Sequence, residues 1–171
     1  MRGATFKGGT HPFDGKDMSK DLPVKKVVPT GELVYPVSQH IGAPANPIVE
    51  PGDHVLVGQT IAEAGGFVST DICSSVSGTV KKIEPRLTVS GSKVNSIIIE
   101  DDKEYTKVEG FGEERDYHSL SKDEIRECIK KAGIVGMGGA GFPTHVKLAP
   151  KDDTAIDYVL VNGAELSLIH I

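Results

Sequence analysis

The residues best suited to chemistry lie near the end of the chain, in GIVGMGGAGFPTHVK, residues 133–147. Glycines at 136, 138, 139 and 141 let the backbone take positive φ and come close to a ligand. Successive backbone N–H groups in such a loop form an anion nest, and a helix starting just after it adds partial positive charge. Lys147 would place a full positive charge on a phosphate. The string is neither the Walker sequence nor the usual dinucleotide fingerprint: Gly136, Gly138 and Gly141 match G-x-G-x-x-G, but no strand precedes them. From the residues alone, the loop is either a phosphate site or a tight structural connection. A second candidate is VNGAE, residues 161–165, just past the apolar run Asp157–Val161, which reads as a buried parallel strand. Ligands in open α/β sheets bind beyond the carboxyl ends of strands. There Asn162 could hydrogen-bond a polar ring and Glu165 could accept from a ribose or amide; the plainer reading is a polar turn.

The remaining reactive side chains form no recognisable set. Cys73 and Cys128 are 55 positions apart and fit no zinc or iron–sulfur spacing, so both read as structural thiols. The six histidines, 11, 40, 54, 118, 145 and 170, show no metal spacing and suggest no Ser/His/Asp set; each reads as a surface or hydrogen-bonded residue. No catalytic residue and no metal site is therefore assigned.

The elements that must position these groups fall into two parts. Residues 24–100 predict short strands at Glu32–Val37, His54–Val57, Thr60–Glu63, Ile72–Ser75, Gly78–Glu84, Arg86–Ser90 and Lys93–Glu100, separated by Gly and Pro turns, a pattern expected of a sandwich or small barrel. Within it, residues 51–84 resemble the biotinyl/lipoyl domain pattern: a P-G-D turn, a G-Q-x-I strand, then S-G-T-V. A carrier of that kind modifies a lysine at the hairpin tip. Here the tip, Glu63–Val68, has none, so the swinging-arm function is not expected. Residues 101–120 are polar and read as a connection. Ser121-Lys122-Asp123-Glu124 is a capping box, and Ile125, Cys128, Ile129 and Ala132 make one helical face, predicting a helix over 121–132 with Gly133 as its C-terminal cap. A short helix is expected near Thr144. Helix, glycine loop, helix and buried strand together read as the start of an α/β domain.

Composition narrows the function. The chain has 171 residues, 20 of them glycine, and a formal charge of −5, which argues against a nucleic-acid partner. No apolar run approaches the ~20 residues of a membrane span. The start of the chain lacks a signal-peptide core, which points to the cytoplasm.

Several strings resemble one family in order: GGTHPFDGKDMSKDLPV, YPVSQHIGAPANPIVEPGDHVLVGQTIAEAGG, SSVSGTVKKIE, GIVGMGGAGFPTHVKL and VNGAE. Across residues 8–165 they resemble the RnfC family, the C subunits of the Rnf complex, which is the ion-translocating ferredoxin:NAD oxidoreductase of bacterial membranes. The glycine string is also similar to the flavin loop of the NADH-oxidising subunit of respiratory complex I. The resemblance implies an N-terminal extension over 1–23, a barrel-sandwich hybrid domain over 24–100, a connection over 101–120, and the start of a Rossmann-like FMN/NADH domain over 121–165. It implies FMN bound by Gly136, Gly138, Gly139, Ala140, Gly141 and Phe142, with Lys147 at the phosphate and Asn162 and Glu165 at the flavin or nucleotide. It also implies electron exchange between NADH and two 4Fe-4S clusters, the clusters lying in a part of family members not present in this chain. The partners would be NAD(H), the other subunits of the complex and, through them, ferredoxin, with a peripheral place on the cytoplasmic face of the membrane. Where the family continues C-E-P after VNGAE, this chain reads Leu166-Ser167-Leu168, so residues 166–171 are expected to be a truncated or non-native tail. On that reading the chain is a fragment, inactive alone and less protected from hydrogen exchange over 121–171 than over 24–100. The alternative is a non-catalytic docking module of a membrane redox complex.

Overall fold

A computed structural model describes residues 15–137 and 139–159. Two compact units are present, one comprising residues 28–158 and the other residues 1–27 with 159–171. Of the second, the described part is a 3-10 turn at Lys16–Met18 followed by exposed chain.

The described residues of unit 28–158 form seven strands: β1 (Glu32–Pro36), β2 (Asn46–Pro47), β3 (His54–Val55), β4 (Thr60–Glu63), β5 (Ile72–Cys73), β6 (Gly78–Leu87) and β7 (Lys93–Asp101). They form two antiparallel sheets, ordered β1-β7-β6-β3 and β2-β4-β5. The core holds Tyr35, Val55, Ile61, Ile72, Val76, Val80, Ile97 and Ile99. Ile98 falls on the opposite face of β7 by strand alternation, yet it is fully buried too.

The predicted strand Gly78–Glu84 continues through Pro85 into Arg86 and Leu87 as one strand, while residues 88–90, predicted as strand, form the turn into β7. Opposite Pro85 stands Asn95, whose carbonyl turns away from β6 to accept from Val37 N–H at 2.9 Å. Pro85 thus occupies a non-hydrogen-bonded position, where its missing N–H costs the ladder nothing. Val80 and Ile83 both pair with core residues, Ile99 and Ile97, although three positions apart. A bulge between Val80 and Lys82 supplies the extra residue that restores the facing. β2 had no alternating pattern to announce it.

The polar stretch after β7 lies along the barrel. Val57 N–H donates to Thr106 and Val108 N–H to Val57, and Gly58 leaves room for the Phe111 ring, which a Cβ there would meet at 2.3 Å. Asp102 ties this stretch down: its carboxylate accepts from Ser77 Oγ at 2.7 Å and from Glu104 N–H at 2.9 Å, and pairs with His54 Nε2 at 3.1 Å. The Ser77 hydroxyl, the Glu104 amide and His54 hold the Asp102 carboxyl below its usual range, against the opposing effect of partial desolvation. The folded carboxyl ionises more readily than the unfolded one. Its contribution is therefore complete above the ordinary carboxylate pKa of ~4 and is lost as pH falls through the lower folded value. Thermal melts between pH 6 and pH 2 should show Asp102→Asn removing part of the acid-induced loss of stability; parallel wild-type and variant curves would contradict this.

Helix α1 (Lys122–Lys131) begins as predicted. Ser121 Oγ accepts from Glu124 N–H, and Glu124 Oε2 accepts from Ser121 N–H at 2.8 Å. Ser121→Ala should cost about 1 kcal/mol, read as a lower unfolding midpoint. At the other end Gly133 takes φ 69°, with Gly133 N–H on Lys130 O and Ile134 N–H on Ile129 O, a Schellman cap. Helix α2 (Thr144–Lys147) is the short helix expected near Thr144. Arg126 joins the two, donating to Leu148 O at 2.7 Å and to Asp153 at 2.9 Å.

The expected strand over Asp157–Val161 does not form where it is described. Asp157, Tyr158 and Val159 are exposed and irregular, and Leu160 and Val161 lie outside the described residues. A parallel strand needs a neighbour for its N–H and C=O groups, and none of the described strands pairs there.

Candidate functional site

The glycine loop leaves the Schellman cap of α1 and returns into α2. A bridge between Val135 and Pro143 closes its base, with Gly136 N–H donating to Phe142 O at 3.0 Å and Thr144 N–H to Ile134 O at 3.0 Å. Pro143 is fully buried, while Met137, Gly139 and Ala140 are exposed at the tip. Gly141 has φ 64° and lies against the Gln39 carbonyl and the His40 backbone, where a Cβ would sit 3.4 Å from each. Gly136 is glycine for a different reason: a Cβ there would stand 2.8 Å from Lys147 Nζ. The Lys147 ammonium thus lies over the Gly136 backbone, at the base of the loop, without an ion-pair partner among the described residues. The N–H groups of Gly139 and Ala140 have no backbone acceptor among those residues. Unpaired donors, close backbone and an unpaired cation suit a phosphate monoester.

Of the sequence-derived site residues, Gly136, Gly139, Ala140, Gly141, Phe142 and Lys147 share this loop and the helix after it. Phe142 is half-buried and contributes its carbonyl to the base. Gly138, Asn162 and Glu165 lie outside the described residues.

Sequence reading missed the barrel's part in framing the loop. A cleft of about 440 Å³ has Gly133, Val135 and Met137 on one side and Tyr35, Gln39 and Asp71 on the other. These barrel residues come from separate segments, so no local spacing marks them. The string SQHIGAP was the one available signal, and it meets the loop where Ile41 N–H donates to Gly141 O at 3.3 Å.

Both cysteines are free and half-buried, lining a second cleft of about 510 Å³ with Phe111 and Arg115. Burial pushes the Cys73 thiol above its usual range and the Asp71 carboxylate adds to this, against the Thr60 hydroxyl. Its thiolate is scarce at neutral pH, which suits a structural thiol. Cys73 donates to Lys131 O at 3.4 Å. Among the described residues no three metal-ligating side chains cluster, and no helix is long and apolar enough to cross a membrane.

Two short-stranded antiparallel sheets around one core, with a carrier-type hairpin but no carrier lysine, define a barrel sandwich hybrid domain. The family described as the RnfC barrel sandwich hybrid domain matches residues 4–104, and the Nuo51 FMN-binding domain matches residues 129–167. The chain belongs to the RnfC family. It is 44% identical over 162 residues to the C subunit of the proton-translocating ferredoxin:NAD(+) oxidoreductase complex of Clostridium ljungdahlii, covering 94% of this chain and 35% of that protein. To its counterpart in the Na(+)-translocating complex of Acetobacterium woodii it is 42% identical over 168 residues, covering 96% and 37%. To the C subunit of the ion-translocating oxidoreductase complex of Pseudomonas aeruginosa it is 40% identical over 164 residues, covering 94% and 21%. The chain thus spans about a third of the first two relatives and a fifth of the third.

Proposed function

We propose that this chain provides the flavin-phosphate end of a redox subunit that passes electrons between NADH and iron–sulfur clusters in a membrane ion-translocating ferredoxin:NAD oxidoreductase. The observation that carries this is the Lys147 ammonium lying over the Gly136 backbone, without an ion-pair partner among the described residues, within the segment that matches an FMN-binding domain. In this reading Gly136, Gly138, Gly139, Ala140, Gly141 and Phe142 pass the backbone around FMN, and Lys147 neutralises its phosphate. Asn162 and Glu165 would hydrogen-bond the flavin or the nucleotide. Bound FMN supplies the hydride and single-electron chemistry, while the protein's share is to bind and orient it. From residue 121 the chain would open the Rossmann-like domain that carries FMN and NADH, with the barrel before it.

The residues fit FMN and do not fit a cluster. Two cysteines in the whole sequence fall short of the four thiolates a tetranuclear cluster takes, so no step is assigned to one here. The proposed partners are NAD(H), the other subunits and, through them, ferredoxin, with the protein peripheral on the cytoplasmic face of the membrane.

The test is a titration of FMN by fluorescence quenching, on this chain and on the full-length Clostridium ljungdahlii relative. Saturable quenching by this chain supports the reading. If the relative quenches FMN and this chain does not, residues 133–147 are not a sufficient phosphate site. The docking-module reading then gains, favoured by a barrel whose described residues hold no catalytic constellation.

A further inference from the structure

We propose that the β4–β5 hairpin of the barrel, the element that bears the lysine in carrier domains, grips the glycine loop at both ends and holds it ready for its ligand, with His40 and His145 as positioning residues. That the held form is ligand-ready rests on the flavin reading above; the grip itself does not.

The hairpin tip lies against residues 42–44, although Gly65, Gly66 and Phe67 are themselves exposed. Val68 O accepts from Ala43 N–H at 2.9 Å, and a Cβ on Gly42 would overlap that same carbonyl at 2.0 Å. Gly65 approaches Pro44 O as closely, and its N–H donates to Ser69 Oγ at 3.0 Å. Ser69 and Thr70 are buried. A tip packed this way presents its backbone to the rest of the unit.

At the loop's entry, the hairpin seizes the end of α1. Lys130 O accepts from Thr70 Oγ1 at 2.6 Å and from Asp71 N–H at 3.3 Å, and Gly133 passes so near Asp71 O that a Cβ would meet it at 2.8 Å. Lys130 O already accepts from Gly133 N–H in the Schellman cap, so these bonds tie the capped helix end to the hairpin.

At the loop's exit, two histidines make the connection. His145, 9% exposed, has Nε2 3.4 Å from the Phe67 carbonyl. A carbonyl only accepts, so Nε2 carries the proton. In the neutral ring Nδ1 is then an acceptor, and it is buried without a hydrogen-bond partner among the described residues. His40, 8% exposed, accepts from Thr70 N–H through Nε2 at 3.3 Å and so donates from Nδ1 to Ile41 O at 3.1 Å. Ile41 N–H then bonds Gly141 O. Hairpin, His40, Ile41 and Gly141 form one chain of hydrogen bonds.

The unpaired Nδ1 separates positioning from plain packing. A buried acceptor without a partner is a standing cost, so an apolar residue of similar size would fill the site at least as stably. It would lose only the bond to Phe67.

The experiment is amide hydrogen exchange on the whole chain, reading the bonded amides of Gly136, Thr144 and Leu148, with Ile97–Ile99 as the internal record of an intact barrel. His145→Leu should speed exchange at the first three about tenfold while leaving the barrel amides slow. His145→Gln, which keeps an N–H donor, should restore slow exchange. Gly42→Ala, remote from the loop in sequence, should also loosen it by displacing Val68. Unchanged exchange in His145→Leu, or no recovery in His145→Gln, overturns the grip. FMN titration of the same variants tests the second clause: a loosened loop should bind about tenfold more weakly, because the competent form is rarer. A loosened loop with wild-type affinity overturns ligand readiness. A wild-type chain that binds no FMN instead defeats the flavin reading, and the exchange pattern still decides the grip.

Discussion

Gly78→Ala should destabilise the barrel by about 3 kcal/mol or more, a drop of about 6–12 °C in unfolding midpoint for a chain of this length. Gly78 pairs with Asp101 of β7 on one side and Val55 of β3 on the other. An added Cβ would stand 2.1 Å from Glu100 O, 2.9 Å from the Glu100 carbonyl carbon and 3.1 Å from Asp101 Cα. All three are backbone atoms of the neighbouring strand, so no side chain can swing aside. Relief requires β6 and β7 to part near Gly78. The next pairs, Thr79 with Glu100 and Val80 with Ile99, lead directly into the core. Nor can the chain retreat before Gly78, because Ser77 accepts from Asp102 N–H through its carbonyl and donates to the Asp102 carboxylate. Circular dichroism melts of wild type and variant check the prediction. An unchanged midpoint would mean that the sheet yields without cost and that the close approach is not structural.

The second large effect is on FMN affinity with stability held constant. Gly136→Ala places its Cβ 2.8 Å from Lys147 Nζ, the far end of a flexible side chain. The ammonium swings away and the fold is spared, so the unfolding free energy should stay within about 0.5 kcal/mol of wild type. The phosphate, however, loses its cation from the base of the loop. Hydrogen bonds to charged groups are worth about 1.5–3 kcal/mol, so Lys147→Gln should weaken FMN binding by about 10- to 100-fold, and Gly136→Ala by about tenfold. Raising the salt should narrow the gap between wild type and Lys147→Gln, because the lost contact is charged. The paired readout is quenching titration beside thermal melts. Equal FMN affinity in all three proteins would remove Lys147 from the phosphate site; a common collapse in stability would show that Gly136 is glycine for the fold.

These predictions draw unequally on what the residues announce. Ser121 and Glu124 name each other across one helical turn, and Gly133 stands where α1 must change hand, so both ends of α1 were legible. β4 was predicted residue for residue, because the Gly58-Gln59 and Gly65-Gly66 turns that bound it are local. The glycine loop was legible as a candidate for the same reason: four glycines and a lysine lie within 12 positions. Where the signal ran out, the deciding contact lay far along the chain. Pro85 looked like a strand break until Asn95 turned its carbonyl to Val37. Val80 and Ile83, three positions apart, both pair with core residues only because a bulge takes up Lys81. The stretch 101–120 looked like a tether, yet Phe111 fills the space that Gly58 leaves open.

Sequence by itself determined the helix with its two caps, most of the strand set, the loss of the carrier lysine and membership of the RnfC family, since each is written in neighbouring residues or in long ordered strings. Tertiary structure decided which strands merge, where the bulge falls, and that SQHIGAP and the β4–β5 hairpin close upon the glycine loop. Pairings such as His40 with Thr70, Phe67 with His145 and Lys130 with Thr70 span 30 to 78 positions. Contacts of that range come from burying one shared core, and no local propensity encodes them.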